Sequence, residues 1–118
     1  MKFRDDNILA MLATATPEQL DELPFGVVRM DHRGVVVDYN RFESEVSGLP
    51  DHRVVGKHFF EQIAPCTNNF LVAVRFAEEK LDELVDYVFT YRMKPTRVLL
   101  RLLKSPGIEH QYLLVEKV

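Results

Sequence analysis

The segment from Thr96 to Lys104, T-R-V-L-L-R-L-L-K, is apolar on both sides of any strand it forms. Successive side chains of a strand point to opposite faces. Val98, Leu100 and Leu102 therefore share one face, and Leu99, Arg101 and Leu103 share the other. A sheet containing this strand must be covered to some extent on both sides. Its neighbours are two further strand-like runs, about Leu84 to Met93 and Gln111 to Lys117. Pro95 marks the first intervening turn and Pro106-Gly107 the second. Earlier in the chain, Gly26 to Asp31 and Val35 to Tyr39 flank His32-Arg33-Gly34, where the glycine supplies the positive φ of a tight hairpin.

Helical signals lie between these two groups. Asn40 caps a short helix, Arg41 to Val46, which stops at Gly48. Pro50 to Arg53 reads as a turn or one helical turn. Asn68 is expected to open the longest helix, with Phe70, Ala73, Val74, Ala77 and Leu81 at helical spacing. Two strands, a set of helices and three strands make an α+β domain on an antiparallel sheet, with helices on one face. Before the first strand come two short helices. Asp5 to Ala13 has an apolar stripe and three candidate caps, Asp5, Asp6 and Asn7. Thr16-Pro17-Glu18-Gln19 carries the capping-box spacing, with proline in the first turn. Neither helix is long enough to stand alone, so both must pack on something.

The 118 residues read as one domain, with 1–25 as an N-terminal cap and 26–118 as the core. The net charge of −3 is spread along the chain, and no basic tract suggests nucleic acid. No apolar run is long enough for a membrane span, and the start lacks the apolar region of a signal peptide. A single cysteine fits a reducing compartment, and the expected location is the cytoplasm. Nothing matches a nucleophile elbow, a P-loop or a dinucleotide fingerprint, so the chain does not read as an enzyme. His32, His52, His58 and His110 lack zinc-site spacing. Asp82, Glu83 and Asp86 read as a solvated edge.

The residues able to carry chemistry are few. Cys66, behind Pro65, reads on its own as a packed thiol. Tyr39 and Glu43 lie four apart, across the end of a strand and the first turn of a helix, so both can reach one pocket. Taken alone, Glu43 reads as a solvated helix residue like Glu45, because carboxylates are rarely buried. Ser47 serves equally as punctuation before Gly48 or as a hydroxyl partner. Phe89, Tyr91 and Met93 alternate on one face of a strand, the ordinary pattern of a core-facing edge.

Set beside one another, these segments resemble the photoactive yellow protein family. The likeness rests on V-V-G-K-H-F-F-E-Q-I-A-P-C-T at residues 54–67, Y-N-R-F-E at 39–43 and D-Y-V-F-T-Y-R-M-K-P-T-R-V at 86–98, and runs from about Leu20 to Val118. It implies a PAS fold: a five-stranded antiparallel sheet with helices on one face and the N-terminal helices on the other. It also implies a blue-light photoreceptor whose 4-hydroxycinnamic acid chromophore is a thioester on Cys66. Tyr39 and Glu43 would hydrogen-bond the chromophore's phenolate, Glu43 in its protonated form, and Ser47 would support Tyr39. Phe59, Ile63, Ala64, Phe89, Tyr91 and Met93 would line the pocket. Leu49 departs from the pattern, since many members carry an arginine there as a lid. The expected partner is a downstream signalling protein that the sequence leaves unspecified. The expected assembly is a monomer, or a weak homodimer through the sheet or the N-terminal cap. Leu49 and the apolar sheet surface keep a second reading open, a PAS-type protein-interaction module that works without light.

Overall fold

The structure, a computed structural model, describes residues 1–90 and 95–118. Five strands form one antiparallel sheet: β1 (Gly26–Met30), β2 (Val36–Tyr39), β3 (Leu81–Phe89), β4 (Thr96–Lys104) and β5 (Gln111–Lys117), in the order β2-β1-β5-β4-β3. The apolar strand β4 lies inside the sheet, and its alternation divides two cores. Val98, Leu100 and Leu102 join Val28, Met30, Leu113 and Val115 in the larger core, under the segment that links β2 to β3. Leu103, Val27, Tyr112 and Leu114 face the opposite side. There they meet Phe3, Ile8, Leu12, Leu20 and Phe25 of the N-terminal region.

That region contains α1 (Ile8–Thr14) and α2 (Pro17–Asp21). The capping box at Thr16 and Gln19 forms as its spacing predicts, with Gln19 N donating to Thr16 Oγ1 at 3.2 Å and Thr16 N to Gln19 Oε1 at 2.8 Å. Asn7 precedes α1 without a side-chain cap.

Two arginines that point from the sheet into this layer hold it down. Arg29 on β1 donates from Nη2 to the carbonyls of Leu12 (2.6 Å) and Ala15 (2.8 Å). Its Nη1 meets Asp38 Oδ2 at 2.7 Å, and its Nε meets the Tyr112 hydroxyl at 3.0 Å. Arg101 on β4 donates from Nη1 to the carbonyls of Phe3 and Asp5, both at 2.9 Å, and forks onto Asp82 with its other two nitrogens. Burial works against the charge on Arg29, but Tyr112 and Asp38 outweigh it and leave the pKa raised. Asp82, expected to be a plain solvated residue, is thus an anchor for Arg101.

The linking segment brings one clear correction. α3 (Arg41–Ser47) and α4 (Asp51–Val54) form close to their expected bounds. The long helix from Asn68 does not form. A π-helical turn (Phe59–Ile63) and a 3-10 turn (Pro65–Thr67) precede Asn68, and between Asn68 and β3 only a short 3-10 turn (Ala73–Ala77) is found. The apolar residues at helical spacing are split among three environments: Phe70 (85% exposed), Val74 and Ala77 face outward, Ala73 is half-buried, and Leu81 begins β3. Asn69 explains the break. Its Oδ1 accepts from the backbone nitrogens of Leu71 (3.0 Å) and Val72 (3.2 Å), an Asx-type turn that competes with helical pairing.

Candidate functional site

Three structural pieces converge on the larger core: the end of β2 with α3, the turns from Phe59 to Thr67, and the end of β3. Asn40 organises the first. Its Oδ1 accepts from Glu43 N (3.2 Å), capping α3, and from Val27 N of β1 (2.9 Å). Its Nδ2 donates to the carbonyls of Leu20 (2.8 Å) and Phe25 (3.0 Å). One buried amide therefore ties α3 to the sheet and to the N-terminal layer.

That cap fixes the direction of α3, which turns Glu43 and Ser47 inward, one helical turn apart. Glu43 is fully buried, and Ser47 is buried beside Tyr39. The Tyr39 hydroxyl donates to Ser47 Oγ at 2.8 Å, and Ser47 Oγ also accepts from Leu49 N at 3.2 Å. Gly26 makes room for the carboxyl: a Cβ placed there would lie 2.5 Å from Glu43 Oε1. Burial of a carboxyl away from water favours its protonated form. Glu45, on the same helix, is exposed.

Cys66 sits in the 3-10 turn at the margin of the core, half-buried, with Leu49 and Ile63 similarly placed. Its thiol is free. Tyr39, Phe59, Ala64 and Phe89 are buried in the same cluster. The structure thus brings Cys66, Tyr39, Phe59, Ile63, Ala64 and Phe89 to one apolar cluster, with Glu43 and Ser47 on the helix beside it. Tyr91 and Met93 lie outside the described residues. Because no helix opens at Asn68, no helix dipole from there acts on the thiol.

Two residues near Cys66 escaped the sequence reading. The Tyr87 hydroxyl donates to the Cys66 carbonyl, and Asn69 Nδ2 donates to the same carbonyl (3.1 Å) and to the Tyr87 hydroxyl (2.6 Å). The signals were present: Tyr87 alternates with Phe89 on β3, and Asn68-Asn69 is a turn-forming pair. Asn69→Ala is expected to release the Cys66 carbonyl and the turn at Leu71 and Val72 together. The expected loss of stability is about 1–3 kcal/mol. Amide hydrogen exchange at Leu71 and Val72 checks it; unchanged protection there would contradict the role given to Asn69.

The arrangement offers a reachable thiol, an apolar bed, and two buried oxygen acids on one side of it. It suits a small acyl group held on sulfur, with a polar end that must be hydrogen-bonded away from water. Among the described residues, no cluster of histidine, cysteine and carboxylate side chains could hold a metal ion, and no helix is long and apolar enough to cross a membrane.

Known proteins agree with this architecture. The chain is 34% identical over 122 residues to the photoactive yellow protein of Rhodothalassium salexigens, across 100% of this chain and 98% of the relative. Its fold superposes with a TM-score of 0.84 on the photoactive yellow protein domain of the sensor histidine kinase Ppr from Rhodospirillum centenum, at 34% identity, covering 92% of this chain and 99% of that one. The PAS domain of an HTR-like protein from Haloarcula marismortui shares the fold alone: TM-score 0.66 at 14% identity, over 97% of this chain and 100% of that one. No protein-family model matches the sequence. Near-full-length identity above 30% and the five-stranded PAS sheet converge: the chain belongs to the photoactive yellow protein family, whose members are photoreceptors rather than enzymes.

Proposed function

We propose that this protein is a blue-light receptor carrying 4-hydroxycinnamic acid as a thioester on Cys66 Sγ. The observation that carries the reading is a fully buried carboxyl at Glu43, on the helix that also supplies Ser47 to Tyr39, beside the cluster that reaches Cys66. A buried carboxyl is a cost to the fold unless it is hydrogen-bonded. It has a role where a phenolate oxygen needs donors.

The donor set fits that group. Glu43 holds a proton at its carboxyl and can give it in a hydrogen bond. Tyr39 has one hydroxyl proton, now given to Ser47. Ser47 can reverse that bond, donating to Tyr39 and freeing the tyrosine proton for the phenolate. Phe59, Ala64 and Phe89 exclude water, which strengthens both bonds. At Leu49 an apolar side chain packs against the cluster and brings no positive charge of its own. When bound, the chromophore supplies absorption of blue light and a trans–cis change of shape. The protein's part is to hold Glu43 protonated in the dark. Loss of that proton would leave a buried carboxylate, disfavoured by roughly 3–5 kcal/mol. That is enough to bias the layer of the structure tied to α3.

Attachment itself is acyl transfer. The Cys66 sulfur attacks an activated carbonyl, an S–C bond forms, the bond to the leaving group breaks, and the thiol proton passes to solvent base. The test mixes apo-protein with an activated ester of 4-hydroxycinnamic acid. One acyl group is expected on Cys66 by peptide mass mapping, with a new blue absorption band that bleaches in light. Cys66→Ala should remain folded and take up none. Absence of an adduct in the parent protein, or an adduct inert to light, would instead support a PAS interaction module that works without a chromophore.

A further inference from the structure

A second concavity opens at another edge of the same core, where the β1–β2 turn, the start of the π-helical turn and the first residue of β5 meet. It measures about 280 Å3, and none of Tyr39, Glu43 and Cys66 lines it. Its wall includes Phe60 and Phe76, both buried, with ring centroids 5.7 Å apart and planes tilted by 40°. Gln111 also lines it. This side chain is 1% exposed, and its Oε1 has no hydrogen-bond partner among the described residues. Strand alternation sets Gln111 on the face of Leu113 and Val115, where an apolar residue would be the ordinary choice. Unpaired buried carbonyl oxygens are rare in folded proteins, and each calls for a donor. His58 stands at the rim. Its Nδ1 accepts from Glu61 N at 3.2 Å, which leaves Nε2 as the proton-bearing nitrogen of the neutral ring, on the side of Gly34.

We propose that this cavity is a second small-molecule site, for a planar aromatic ligand carrying one O–H or N–H donor. The ring would rest on Phe60 and Phe76, and the donor would pair with Gln111 Oε1. Apolar surface from Phe60, Phe76, Ala73 and Val74 beside a few polar groups, here Gln111 with His32, Arg33, His58 and Asn68, is the usual make-up of a small-molecule site. The proposal is independent of the thioester, and its test uses apo-protein with Cys66→Ala so that no acyl transfer can occur.

The probe is 4-methylphenol, with toluene as the same ring lacking the donor. Nuclear magnetic resonance titration is expected to shift the Gln111 side-chain amide and the Phe60 and Phe76 rings. 4-Methylphenol should bind about tenfold tighter than toluene, the worth of one hydrogen bond. Gln111→Leu should remove that preference. Val74→Trp, at an exposed position lining the cavity, should block both ligands without touching the core. Equal affinity for the two probes, shifts gathered at Tyr39 and Glu43 instead, or no shift at all would overturn the proposal, and in the last case water serves Gln111. None of these results would alter pigment attachment at Cys66, which is measured separately.

Discussion

Replacing Arg29 with leucine should detach the N-terminal layer from the sheet. The side chain is 8% exposed, and its guanidinium reaches four groups at once: the carbonyls of Leu12 and Ala15, the Asp38 carboxylate and the Tyr112 hydroxyl. Leucine fills part of the volume but takes a donor from the carbonyls of Leu12 and Ala15, of which Leu12 keeps Ala15 N and the Tyr112 hydroxyl, and leaves Asp38 without its cation. Breaking one side of such a buried charge pair costs about 3–5 kcal/mol. That is a large share of the 5–15 kcal/mol or so that holds a typical domain together. Lysine should not rescue it, because a single ammonium cannot span the planar fork that three nitrogens fill. Urea unfolding gives the global loss. Limited proteolysis locates it, and cleavage within residues 1–25 should accelerate ahead of cleavage in the sheet. Arg101→Leu should resemble it at the chain's start, releasing Phe3 and Asp5, with a smaller global effect because its partner Asp82 is half-exposed. A midpoint within 1 kcal/mol or so of the parent, with unchanged proteolysis, would show that apolar contacts alone hold the layer.

These arginines mark a boundary of what the sequence makes legible. The two-sided apolar pattern of Thr96–Lys104 required cover on both faces, and the structure supplies it with α1 and α2 on one side. Periodicity, however, reports only where apolar residues fall. It is silent on Arg29 and Arg101, charged residues on buried faces, whose partners are carbonyls up to 98 residues away in the chain. The capping box at Thr16 and the cap at Asn40 were readable because their partners are local. The other three bonds of Asn40, to Val27, Leu20 and Phe25, are tertiary and were not. Between Asn68 and Leu81 periodicity misled. Phe70, Ala73, Val74, Ala77 and Leu81 fit a helix by spacing, but Asn69 bonds the backbone two and three residues on, and the chain turns instead. In the site, spacing put Tyr39 and Glu43 at one strand–helix junction, whereas the expectation of a buried Glu43 came from the family resemblance. The opening that Gly26 leaves for its carboxyl is visible only in three dimensions.

The same geometry connects the site to the N-terminal layer, and Glu43→Gln tests that connection. Glu43 N donates to Asn40 Oδ1, and the Asn40 amide holds the carbonyls of Leu20 and Phe25. A charge appearing on the Glu43 carboxyl would therefore strain the helix whose cap also fastens α2. Glutamine keeps the size and a hydrogen-bond donor but has no acidic proton to lose. In reconstituted protein the pigment should stay attached to Cys66, with absorption moved to longer wavelength, because an amide donates less strongly and holds the phenolate charge less tightly. The infrared band of a protonated carboxylic acid, expected in the dark parent, should be missing. Light-induced exposure of the N-terminal layer, read by hydrogen exchange at Leu12 and Leu20, should weaken, since no buried carboxylate would form. Glu43→Ala should behave differently: with one donor gone, the phenolate is less stabilised and the chromophore's pKa rises. Glu45→Gln, on the exposed face of the same helix, should change neither colour nor exchange. If Glu43→Gln matches the parent in absorption and infrared spectrum, Glu43 is not the proton store. The link from pocket to cap would then have to run through Tyr39 and Ser47 instead.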